Sequence, residues 1–210
     1  QTGEAKAKKL RAKAAADAKL IASSADDLQA AVLAQAAKLG DRNEVTTPNL
    51  ASLMMLVEEN GREILLTGDG HSADILRGLE QVGRIEPGGS LHVNVLKVQH
   101  HGSEHNIDEE FCRRVSADHY IFCGNGAHTN PELPVIQAIF DSRIGPASSP
   151  NAPNTKFRFW FNSHSDVSDV AKNRTHMKKI EALAEKLASK SGGKFTAQFL
   201  KESSFPPITV

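Results

Sequence analysis

The sequence predicts a mixed α/β (α+β) fold: a mixed sheet with covering helices, preceded by a helical arm. Three observations lead there. Short apolar runs bounded by Gly, Asn or Ser recur through 41–210, stretches with apolar side chains at helical spacing separate them, and the first 40 residues are dominated by Ala, Lys, Leu and Gln. Strands that alternate with helices favour parallel neighbours, whereas the first two runs are close enough to pair antiparallel, so a mixed sheet is expected. The chain accordingly divides into an arm or insertion over 1–40 and a sheet domain over 41–210.

In order along the chain, Leu20, Ile21, Leu28, Val32 and Leu33 have helical spacing within 4–39, and Gly40 supplies a stop. Ser23-Ser24 breaks the segment into two helices, with Ser24 or Asp26 capping the second. Lys6, Lys8, Lys9, Arg11 and Lys13 would suit a basic arm on nucleic acid, but a solvated amphipathic extension explains them more simply. The runs 50–58 and 62–66 are joined by Glu59-Asn60-Gly61, and Asn-Gly signals a hairpin because both residues tolerate positive φ. Residues 72–81 read as a helix capped by Ser72, 91–98 as a strand after the Gly88-Gly89 turn, 108–115 as a short helix and 119–123 as a strand. Next come a helix over 131–140 with proline in its first turn, a loop over 146–154 and an aromatic strand over 156–161. A helix over 173–190 carries Met177, Ile180, Leu183 and Leu187 on one face, and a last strand covers 195–200.

Basic and acidic residues balance at 25 each, which argues against a global field for nucleic acid or membrane and leaves room only for local charge. Two cysteines, Cys112 and Cys123, are too few for a disulfide framework and read as buried apolar side chains in a reducing, cytoplasmic setting. No apolar run is long enough for a bilayer span, so no membrane partner is expected. A chain that begins with Gln1 reads as a portion of something longer.

Chemistry concentrates in two strings. Leu65-Leu66-Thr67-Gly68-Asp69-Gly70-His71 and Leu96-Lys97-Val98-Gln99-His100-His101-Gly102-Ser103 each end an apolar run with side chains that bind metal. A carboxylate and neutral imidazoles suit Zn²⁺, and flanking glycines let the backbone bend toward an ion or anion. If strand alternation continues through the second string, His100 and His101 point to opposite sides, one toward metal and one toward substrate; His101 is preferred as ligand, with the reverse open. His71 reads as a helix-start residue, and His105, His119, His164 and His176 as ordinary surface or core histidines.

Together with Pro48-Asn49-Leu50-Ala51-Ser52-Leu53, these strings resemble the C-terminal half of a metallo-β-lactamase-fold hydrolase, most closely its DNA-uptake (ComEC-type) branch. The resemblance covers 47–140 and, more loosely, 156–161. It implies one half of an αββα sandwich, whose inner face needs a second sheet. It further implies two divalent metal ions, Zn²⁺ foremost and Mn²⁺ as an alternative, with Asp69 bridging them and His101 or His100 ligating one. Cys123-Gly124-Asn125-Gly126-Ala127-His128-Thr129-Asn130-Pro131 is similar to the family's segment at the active-site mouth, which brings in His128. His100, His128 and Ser103 are then the catalytic or orienting residues. The family's His-x-His-x-Asp-His string does not occur here, and Asp69 with one histidine is too few ligands for a catalytic zinc. The expectation is therefore a metal-dependent phosphodiesterase or nuclease on DNA or other nucleic acid, active only with a partner polypeptide that carries the N-terminal half. The alternative is a non-catalytic structural or regulatory subunit that retains a degenerate form of the fold.

Overall fold

The computed structural model describes residues 39–145, 148–149 and 152–201, with positions 28 and 208. The expected arm over 1–40 lies outside the described residues except at Leu28, Leu39 and Gly40; both leucines pack, partly buried, against the core. Among the described residues no helix is long and apolar enough to cross a membrane.

Six strands form one sheet in the order in which they occur along the chain. They are β1 (Met55–Glu59), β2 (Arg62–Leu66), β3 (Leu91–Lys97), β4 (Val115–Phe122), β5 (Phe157–Phe161) and β6 (Phe195–Phe199). Only β1–β2 is antiparallel; each later neighbour is parallel. The helices are α1 (Thr47–Leu50), α2 (Ser72–Gln81), α3 (Glu109–Arg114), α4 (Leu133–Arg143) and α5 (Ala171–Lys190). The expected mixed sheet with helices on it is present.

Asn60 and Gly61, at φ +51° and +72°, make the two-residue turn expected of Asn-Gly, and Glu59 pairs with Arg62 across it. The run 50–58 is not all strand, however. Pro48 in the first turn favours a short helix over Thr47–Leu50, and pairing with β2 begins only at Met55. Ser72 is not the cap of α2: the His71 ring accepts the Ala73 N–H, while the Ser72 hydroxyl donates to the Asn106 carbonyl. Pro131 precedes α4 through a cis bond, and the first-turn proline is Pro134. Strand β4 starts four residues before the expected 119, because Val115 and Ser116 already pair with Leu91 and His92.

The sheet grows in one direction from β2 to β6, so crossovers of one hand put α2–α5 on one face. Ile75 and Leu79 of α2, Phe111 of α3, Ile136 of α4 and Ile180 of α5 share one core with Leu65, Leu96, Tyr120 and Phe159. Aromatic rings fill its β4–β6 end: Phe159 meets Tyr120, Phe122 and Phe195 edge-on, with centroids 4.7–5.3 Å apart. The opposite face carries the rows Val57, Ile64, Val95, His119, Arg158, Thr196 and Met55, Leu66, Lys97, Ile121, Trp160, Gln198. None of these belongs to the helix-side core, and Met55 and Val57 are exposed.

Candidate functional site

Parallel pairing of β2 with β3, Leu66 opposite Lys97, makes 67–70 and 99–103 leave the sheet side by side. His100 N–H donates to the Gly68 carbonyl at 3.1 Å, which locks the two motifs together. β4 and β5 end on the same edge, the carboxyl ends of the parallel strands, where open α/β sheets build sites. There lies a cleft of about 800 Å³ lined by His100, His101, Ser103, Cys123, His128 and Asn49, among others. The structure thus brings together the four expected residues His100, His101, Ser103 and His128. Asp69, half-buried beside His100, does not line it.

The strand does not continue through the two histidines. Past Val98 the backbone turns left-handed at His100 (φ +43°), His101 (+58°) and Gly102 (+88°), so the expected alternation of the rings fails. Both rings line the cleft, 6.0 Å apart between centroids. His101 and His128 are exposed, and His128 is also left-handed, at φ +53°.

His100 is held by polar neighbours. The Asn106 side chain, fully buried, donates through Nδ2 to the Asp69 carbonyl at 2.8 Å and the Gly70 carbonyl at 3.3 Å. Its Oδ1 must then face His100 Nδ1, 2.7 Å away, so Nδ1 carries the proton. Nε2 is left with its lone pair toward the cleft, 3.4 Å from Asn49 Nδ2. A carboxamide fixing one ring nitrogen while the other is presented is how a ligand or general-base histidine is oriented.

Asp69 is held from both sides of the chain. Its N–H donates to Ser52 Oγ at 3.1 Å, and Lys97 Nζ lies 3.9 Å from its carboxylate while donating to Gly68 O at 2.9 Å. Burial holds the Lys97 ammonium below the ordinary lysine range; Cys123 and Asp69 pull the other way. On the far wall, Glu132 Oε2 accepts the Glu104 N–H at 2.6 Å and Oε1 accepts the Thr129 hydroxyl at 3.1 Å. From α5, His176 Nε2–H donates to the Pro131 carbonyl at 2.8 Å, and burial keeps this imidazole below its usual pKa.

Sequence reasoning missed Lys97, Asn49, Glu132 and Cys123 as parts of the site. Lys97 reads as one more strand residue until the register sets it beside Leu66, and Asn49 reads as a turn. Cys123 is half-buried on the cleft wall, which corrects its reading as a buried filler; Cys112 is buried as expected, and burial pushes its thiol up. Asp69 and the imidazoles are fit in kind for a divalent cation but not in number: among the described residues no three His, Cys, Asp or Glu side chains stand together as a metal-holding group. Comparison with protein-family models, with curated proteins and with solved structures finds no match to this chain.

Proposed function

We propose that this chain is one half of a metal-dependent hydrolase, most simply a phosphodiesterase or nuclease acting on DNA or another nucleic acid. A partner polypeptide that supplies a second sheet and a His-x-His-x-Asp-His string would complete it. The observation that carries this reading is an Asn106-oriented His100 that faces a cleft at the carboxyl edge of the sheet, with the Asp69 backbone tied to the same Asn106 side chain. Two Zn²⁺ or Mn²⁺ ions, held jointly with the partner, would supply a water of lowered pKa and neutralise phosphate charge. This chain's own part is positional. Asp69 presents a carboxylate whose charge Lys97 balances before any cation is bound. His100 presents Nε2, which supports it as the ligand, with His101 at the exposed mouth. His128 and Ser103 face the same cleft, where an imidazole can exchange a proton with a leaving group.

The test is co-purification with the companion polypeptide, followed by metal content and hydrolysis of a phosphodiester. Asp69→Ala is expected to lower bound metal and reduce the rate by more than about 100-fold, since even outer neighbours of a metal site are worth 10–100-fold. The second reading, a non-catalytic subunit, has in its favour the shortage of ligands among the described residues. Metal-free protein whose behaviour is indifferent to Asp69→Ala would establish it instead.

A further inference from the structure

A second cleft, of about 620 Å³, lies at the amino ends of the parallel strands, on the edge away from the first. Four cations from three segments surround it: Arg62 opens β2, Lys156 precedes β5, Arg158 lies within β5 and Lys194 precedes β6. Sheet pairing fixes this arrangement, since Phe157 N–H donates to Lys194 O at 2.9 Å and Arg158 stands opposite Thr196. The Arg158 guanidinium lies 5.1 Å over the Trp160 ring and donates through Nε to Thr196 Oγ1 at 2.9 Å, which orients the fork while engaging one of its three nitrogens.

Among the described residues, none of the four cations lies within ion-pair distance of a carboxylate. Asp118, the one carboxylate in the described lining, has partners other than the four cations: its Oδ1 is 3.3 Å from His92 Nε2 and accepts the Thr155 hydroxyl at 3.3 Å. In a chain with zero net charge this is a local concentration of positive field, and the Thr196 hydroxyl, which accepts from Arg158, keeps its proton as a neutral donor. Guanidinium, ammonium and hydroxyl donors together are the side chains that hold phosphate backbones.

We infer that this cleft binds successive phosphates of a nucleic-acid strand. A single free phosphate cannot engage four cations spread over three segments, whereas a strand presents one negative charge after another along its length. The choice of a nucleic acid over another polyanion rests on the phosphodiester reading above. Occupancy of the cleft does not, because it lies at the other end of the strands and is read without turnover.

The chain's single tryptophan, Trp160, reports on it through the Arg158 guanidinium over its ring. Titration of the full chain with single-stranded oligo-deoxythymidylate at low salt is expected to change Trp160 emission saturably and to raise the anisotropy of the labelled oligonucleotide. Lys156→Glu combined with Lys194→Glu, both exposed and checked by thermal melting, should weaken binding at least about tenfold and flatten its salt dependence by about 2 in slope. Asp69→Ala should bind as the parent does, even if it proves inactive. Unchanged affinity in the double variant overturns the inference. So does equal displacement by inorganic phosphate, which makes this a small-anion site, or by poly-glutamate, which makes it a docking place for acidic protein. Binding that is lost in Asp69→Ala but kept in the double variant would put the strand in the other cleft and equally overturn it.

Discussion

Asn106 does more for the candidate site than any residue that lines it. Without its Oδ1 the His100 ring loses the acceptor that selects its tautomer, and without its Nδ2 two carbonyls at 69 and 70 lose their donor. Because the group is fully buried, water cannot replace these bonds cheaply. Asn106→Ala is expected to destabilise the chain by about 1–3 kcal/mol in urea. In the completed hydrolase it should also cut metal affinity by roughly 10–100-fold. Wild-type stability in that variant would mean that the network is ornamental and that His100 is oriented by something else.

The element that shapes the site is the turn over Gln99–Gly102. Three successive residues there take positive φ, and for the two histidines this conformation holds only because the surroundings impose it. Gly102 is the tightest point: a Cβ at this position would sit 2.6 Å from Pro131 Cβ. Gly61 in the hairpin has a similar φ, +72°, but nothing within 4 Å of an added Cβ, so it isolates the conformational effect from the steric one. Gly61→Ala should cost about 1 kcal/mol, and Gly102→Ala clearly more, with altered packing of the 128–131 loop. Equal denaturant midpoints for the two variants would remove the close approach of Gly102 to Pro131 from the account.

At the scale of the whole molecule, the described residues are one-sided. Among them, sequential strand order with α2–α5 on a single face leaves Met55 and Val57 exposed and Ile64, Leu66 and Ile121 half-buried on the other. That face is not uniformly apolar, as the half-sandwich expectation would have it. Its β1–β3 portion is largely apolar, with Lys97 at one end and Glu59 and Arg62 at the other, while its corner at β4–β6 carries His119, Arg158 and Thr196. An apolar area of this kind is seldom left to solvent. The chain alone is expected to self-associate in sedimentation and to bind a hydrophobic dye, and Met55→Glu with Val57→Glu should diminish both. Monomeric, dye-free behaviour at micromolar concentration would argue against a missing layer.

Local chemistry made much of this protein legible in its residues. Asn-Gly named the hairpin, period-2 and period-3.6 patterns placed every described strand and most helices within a few residues, and Gly-Asp and His-His after apolar runs marked where the polar site would form. These signals are encoded within a few neighbours. Other features depend on contacts between segments far apart in sequence: which imidazole is oriented, that Lys97 meets Asp69, and that Lys156 and Lys194 converge with Arg62. A strand's register and a turn's left-handed backbone are decided by what packs across them, and only the assembled sheet supplies that.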